Sequence, residues 1–174
     1  CVGDSGCVLQ TSNGGTTWTR KHSPTTQRLL GVAVLTADVA ILVGGACSRR
    51  VYEYGGYNDY PCSIIHRTSD AGNTWTMDTV DGPTAYVGFT AIRFDTPDCG
   101  WAASNHLIYR TTDQGKTWRG NSNNRLPYGW IDDICFPTRW SGFIVGEGGM
   151  LVHTTDSFAT WTDRCQTVTG LGSS

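Results

Sequence analysis

The 174-residue chain has no Cys-x-x-Cys pair, no Asn-x-Ser/Thr sequon and no glycine loop leading from a strand into a helix. His22, His66, His106 and His153 stand at no ligand spacing, so neither a structural zinc nor any other metal or cofactor is expected. Gly146-Glu147-Gly148-Gly149 reads as a hairpin turn, not a phosphate cradle. A formal net charge of −2 leaves no basic footprint for nucleic acid. No apolar run reaches the length of a membrane-spanning helix. Helical periodicity is missing too: 22 glycines and many turn dipeptides interrupt every apolar run. These absences leave short strands joined by tight turns.

The chain does contain a repeat. Thr11–Trp18 (TSNGGTTW), Thr68–Trp75 (TSDAGNTW), Thr111–Trp118 (TTDQGKTW) and Thr154–Trp161 (TTDSFATW) share one signature, spaced 57, 43 and 43 residues apart. Each follows a short apolar run: Val8-Leu9, Ile64-Ile65, Leu107-Ile108 and Leu151-Val152. A second run lies upstream, as in Ile41-Leu42-Val43-Gly44 and Phe143-Ile144-Val145-Gly146, and a third lies further upstream, as in Leu30–Val34 and Ile131–Phe136. A fourth short strand begins near each signature tryptophan. Four strands per period of roughly 40–45 residues is the pattern of a propeller blade, a unit that buries its apolar faces only against its neighbours.

Within the signature, aspartate can accept backbone N–H groups of its own turn, and glycine can take positive φ. The indole that follows has a large apolar surface to bury beside the next blade. Asn13 keeps the acceptor without the charge. Phe158 stands where the other copies have glycine, so that turn is expected to close differently. Ser/Thr-x-Asp-x-Gly-x-Thr-Trp resembles the Asp-box, or BNR repeat, of sialidases, some glycoside hydrolases, sortilin-type receptors and photosystem II stability/assembly-factor-like propellers. The longer consensus, Gly-(Trp/Phe)-(Ala/Ile)-(Ala/Val) followed by (Leu/Ile)-x-x-Thr-Thr-Asp, is most similar to the last group, which is non-enzymatic. The resemblance implies that the box lies opposite the usual ligand face. Asn13, Asp70, Asp113 and Asp156, with Trp18, Trp75, Trp118 and Trp161, are then structural residues.

The expected fold is all-β: a β-propeller of four-stranded antiparallel blades, about four of them, the first incomplete, forming part of a larger propeller. As one domain or fragment over 1–174, its blades fall near 1–23, 24–80, 81–123 and 124–165, with a tail at 166–174. Seven cysteines point to an oxidising compartment, extracellular or lumenal. Cys47 and Cys62 flank the 14-residue excess of the second repeat and are one disulfide candidate; Cys1 and Cys7, bracketing the equivalent turn of the first blade, are another.

That excess, Arg49–Pro61, departs from the repeat and carries Tyr52, Tyr54, Tyr57 and Tyr60 beside Arg49 and Arg50. Tyrosine and arginine are enriched at interface hot spots. The link 119–128 adds Asn121, Arg125 and Tyr128, and together these are the expected binding surface for a protein or glycan. Asp132-Asp133 is the only adjacent acid pair off the boxes, and neighbouring strand residues point to opposite sides. Catalysis would need a second acid, Asp95, Glu53 or Glu147, at the glycosidase separation of about 5–9.5 Å. Arg67 and Arg110, just before their boxes, read as solvated repeat positions. The expected function is therefore a non-enzymatic scaffold with no catalytic residues, binding another macromolecule outside the cytosol in an assembly, surface or receptor-type role. The alternative is a glycoside hydrolase or sialidase-like enzyme.

Overall fold

The computed structural model describes residues 1–81, 88–104, 107–120, 126 and 130–164; within these, the side chains of 46–51, 53, 57–63, 78, 79 and 81 lie outside the description. Fourteen strands are found among the described residues: β1 (Leu9–Gln10), β2 (Thr19–Arg20), β3 (Leu29–Val34), β4 (Ala40–Glu53), β5 (Gly56–Thr68), β6 (Thr76–Asp81), β7 (Ala91–Phe94), β8 (Gly100–Ser104), β9 (Leu107–Thr111), β10 (Arg119–Gly120), β11 (Ile131–Cys135), β12 (Gly142–Gly146), β13 (Met150–Thr154) and β14 (Thr162–Asp163). They form antiparallel sheets in chain order: β3-β4-β5-β6, β7-β8-β9-β10 and β11-β12-β13-β14, preceded by the pair β1-β2, to which Val2 adds a bridge at Val8. The first strands β3, β7 and β11 approach one another. This is a partial β-propeller.

Register explains how the sheets stack. In β4 and β5, Ile41 faces Arg67 and Val43 faces Ile65; β8 and β9 repeat this with Trp101–Arg110 and Ala103–Ile108. These positions point forward, toward the next sheet. The intervening pairs, Leu42–His66, Ala102–Tyr109 and Ile144–Val152, point back toward the sheet before. Three buried clusters result. Val8, Leu29 and Leu42 join the first two sheets; Ile41, Val43, Ile65, Phe89 and Ile92 join the second to the third; Trp101, Ile108, Ile131, Ile134, Ile144 and Val152 join the third to the fourth. Trp75, Trp118 and Trp161 pack against successive clusters, while Trp18 is 46% exposed.

Cys1 and Cys7 are free thiols, and backbone register is the reason. Cys1 exchanges hydrogen bonds with Leu9, and the Gly3 N–H donates to the Cys7 carbonyl, so each cysteine faces a different residue across the turn. That pairing is therefore corrected. Cys99 and Cys135 are also free. Cys47 and Cys62 are direct backbone partners in the β4–β5 register, but their side chains lie outside the described residues.

Candidate functional site

The boxes close through one hydrogen-bond set. In the third, Asp113 Oδ1 accepts the Thr111 hydroxyl at 2.8 Å and the Thr117 N–H at 2.9 Å; Oδ2 accepts the Thr117 hydroxyl. The Gly115 N–H donates to the Thr111 hydroxyl at 3.0 Å. The second and fourth boxes repeat this through Asp70 and Asp156. Asn13 does the same with its carbonyl, and its amide donates to the Thr17 hydroxyl. The fourth box does not close differently: the Phe158 N–H reaches Thr154 at 3.0 Å although Phe158 has φ +66. A buried ring pays for that backbone, since Phe158 is 5% exposed and packs edge-on to Phe136. Both carboxylate oxygens of Asp70, Asp113 and Asp156 thus accept hydrogen bonds from within their own turn.

The same bonds hold the carboxyl groups in their charged form. Asp70 lies at about 2 against an ordinary 3.8, chiefly through the Thr74 hydroxyl, then the Thr74 N–H and Thr68. For Asp113 burial pushes upward, but the bonds from Thr117, Thr111 and Lys116 outweigh it and leave the group at about 2. Asp156 is lowered as well, first by the Thr160 hydroxyl. Folded-state values below the unfolded ones mean stabilisation that is complete above 3.8 and lost as pH falls through about 2. His66 is a separate acid-sensitive group. It is 1% exposed, neither ring nitrogen has a described partner, and burial lowers its pKa from 6.5. Below 6.5 the unfolded chain takes a proton that the folded chain resists, so stability falls there too. Acid titration of the fold should therefore show two windows. His66→Leu removes the upper one and Asp113→Asn, copying Asn13, weakens the lower one; unchanged acid midpoints in both variants would reject the assignment.

Arg67 and Arg110 are not solvated. Both are half-buried between sheets: Arg67 Nε donates to the Gln114 carbonyl at 3.1 Å, and the Arg110 guanidinium lies 5.8 Å from the Trp101 ring centre. Asp132 and Asp133 are both exposed, because a bulge between Ile131 and Asp133 interrupts the alternation. Asp133 meets Arg93 of β7 at 3.0 and 3.1 Å and accepts the Ile134 N–H, so it faces a cation and not a second carboxyl. Arg93 was not singled out as its partner, for nothing local joins residues 40 positions apart. Of the other acids, Asp95 is half-buried at the end of the third sheet's first strand, Glu147 is exposed in the β12–β13 turn, and the Glu53 side chain lies outside the description. No group of three His, Cys, Asp or Glu is gathered among the described residues.

The excess of the second repeat is not a loop. It lengthens β4 and β5 into a ribbon in which Arg49 pairs with Tyr60, Arg50 with Asp59 and Tyr52 with Tyr57. β3 pairs with β4 only as far as Gly44, and β6 with β5 only from Cys62, so among the described residues the ribbon has two strands beyond Ser48 and Pro61. At ~3.4 Å per residue it projects about 20 Å. Its two-residue turn, Tyr54-Gly55, has φ +54 and +82, the positive pair of a type I′ hairpin. The box lies at the opposite end of β5 from this tip. Tyr52 is 64% exposed and Tyr54 101%. Arg49, Arg50, Tyr57 and Tyr60 sit on the ribbon backbone with side chains outside the description, as Asn121, Arg125 and Tyr128 are altogether.

No helix among the described residues is long and apolar enough to cross a membrane. No protein-family model and no curated protein matches the sequence. Among solved structures the chain is similar to YCF48 bound to a D1 peptide, with TM-score 0.60 and 20% identity over 78% of this chain and 39% of that one. It is equally similar to YCF48 from Cyanidioschyzon merolae, at TM-score 0.60 and 17% identity over 93% and 50%. Both are propellers, which agrees with the likeness to assembly-factor-like propellers drawn from the boxes. The chain spans half or less of each neighbour's length.

Proposed function

We propose that this partial propeller is a non-enzymatic scaffold that holds an extended segment of another protein on its β4–β5 ribbon. The carrying observation is Tyr54. A bulky residue at positive φ is costly where asparagine or glycine is preferred, and Tyr54 recovers nothing by burial, being fully exposed at the tip. Exposed tyrosine at a strained position is what a recognition element requires. The extended backbone of the ribbon, paired strand to strand out to Glu53 and Gly56, is also the kind of element to which a strand can be added. A neighbour that carries a D1 peptide supports a peptide as the ligand class. The acid pair lends the glycosidase reading no support, because Asp133 is engaged by Arg93.

An oxidising compartment remains part of this proposal, supported by the backbone pairing of Cys47 with Cys62. Free thiols at both on non-reducing peptide mapping would count against it. The binding test is calorimetric titration with a D1-derived peptide, alongside a photo-crosslinking residue at 54 and a control at Lys116. Tyr52→Ala/Tyr54→Ala should weaken binding by about 10- to 100-fold while leaving the melt unchanged. Binding unaffected by the double variant, or adducts at 116 and none at 54, would defeat the ribbon as the site.

A further inference from the structure

The junction of the second sheet with the third and that of the third with the fourth are built from equivalent positions, yet their arginines fare differently. At the former, Arg67 Nε donates to the Gln114 carbonyl of the next box at 3.1 Å. Ile41 fills the space over the box glycine Gly115, and Asp98 in the β7–β8 turn accepts the Gln114 side-chain amide at 3.0 Å. At the latter, the chain replaces all four of these residues: Trp101 stands for Ile41, Phe158 for Gly115, Ser157 for Gln114 and Trp140 for Asp98. Arg110 keeps the place of Arg67, but its Nε has no hydrogen-bond partner among the described residues. The indole N–H of Trp101, on a side chain 0% exposed, has none either.

A cavity of about 350 Å³ lies at this altered junction. Trp101, Arg110 and Arg119 of the third sheet form one wall; Trp140, Asp156 and Phe158 of the fourth form the other. Both walls belong to four-stranded sheets, and the cavity is at the box end of the strands, away from the ribbon tip. Its volume is at the small end of ligand sites, and its make-up is theirs: aromatic walls with a few charged groups. The Arg110 guanidinium lies 5.8 Å from the Trp101 ring centre, and Arg119 is exposed with no ion pair among the described residues. Asp156 is the one acid in the lining, and its oxygens are taken by Thr154 and Thr160. Two guanidinium groups and a buried N–H are thus short of acceptors, a cost that a bound anion would offset.

We propose that this cavity binds a small organic carboxylate with an aromatic body, its charge held by Arg110 and Arg119 and its ring set against Trp140 and Phe158. The planar fork of a guanidinium matches a carboxylate, which selects the anion. The indole and phenyl walls select a flat apolar body, since rings pack on rings edge-on or offset. A space of this volume holds about one ring with its substituent, which favours a free molecule. The last residue of a peptide chain shares that chemistry and is set apart by the test below. The site is separate from the ribbon and stands whether or not the ribbon holds a peptide.

Phenylacetate is the probe, followed by calorimetry and by the indole N–H resonances of the protein. It should bind with a Kd on the order of 1 mM and shift the signals of Trp101 and Trp140 while Trp75, at another junction, stays in place. Arg119→Gln, at an exposed position and so expected to leave the melt unchanged, should weaken binding by about 10-fold, and Arg110→Gln should do likewise. Phenylacetamide, the same shape without the charge, should also bind about 10-fold more weakly or worse. The Tyr52→Ala/Tyr54→Ala variant should take up phenylacetate as before. No saturable shift at Trp101 or Trp140 would overturn the proposal, as would equal binding of phenylacetamide or an Arg119→Gln protein that binds unchanged. A peptide ending in phenylalanine that binds where phenylacetate does not would assign the cavity to chain ends and overturn the small-molecule reading.

Discussion

Trp101→Ala should destabilise the chain by about 3–5 kcal/mol, the usual loss when a buried aromatic is truncated. Trp101 is 0% exposed in β8 and lies flat on Phe136, ring centres 3.8 Å apart and planes within 6°. Phe136 in turn meets Phe158, so one ring ties the third sheet to the box of the fourth. Removing it opens a cavity between sheets and also takes away the surface over which Arg110 rests. The change should exceed that of Trp18→Ala, whose ring is 46% exposed. Denaturant titration measures both, and equal losses would mean that the junction does not depend on this stack.

Gly115→Ala should cost about 2–4 kcal/mol, part from the left-handed backbone and part from overpacking. Gly115 has φ +76, and its new Cβ would meet Ile41 Cδ1 at 2.2 Å inside a closed junction. Gly14→Ala isolates the backbone share, because Gly14 has φ +65 with nothing within 4 Å, and should cost only about 1 kcal/mol. Combining Gly115→Ala with Ile41→Val should recover some of the difference, a coupling that a double-mutant cycle reads directly. The comparison with Phe158 sharpens the point. That position tolerates a large residue at φ +66 because Trp101 of the neighbouring sheet and Phe136 of its own sheet present rings to it, whereas Ile41 already fills the corresponding space over Gly115. Additive losses across the cycle would show that the two residues do not compete for one volume.

The boxes were legible in the sequence because their bonds span at most six residues: threonine, aspartate, glycine and threonine at fixed offsets leave the turn little choice. The ribbon was legible only as a departure from the period. Its strand character and turn type were not read, since tyrosine is a poor marker for a type I′ position. Arg67 and Arg110 were misread because their partners, the Gln114 carbonyl and the Trp101 ring, lie in other strands or sheets. Strict alternation failed at Asp132 and Asp133 because a bulge adds a residue that no composition signals.

Period, strand count per sheet and turn chemistry follow from residues near one another along the chain, so the fold class was written in the sequence. Which faces meet and which arginine is covered depend on partners in other strands and sheets, brought together by pairing and stacking. Register settles those matters: a shift of one position sends each side chain to the other face. The meeting of Ile41 with Gly115 across a junction could be decided only after the sheets had closed on one another.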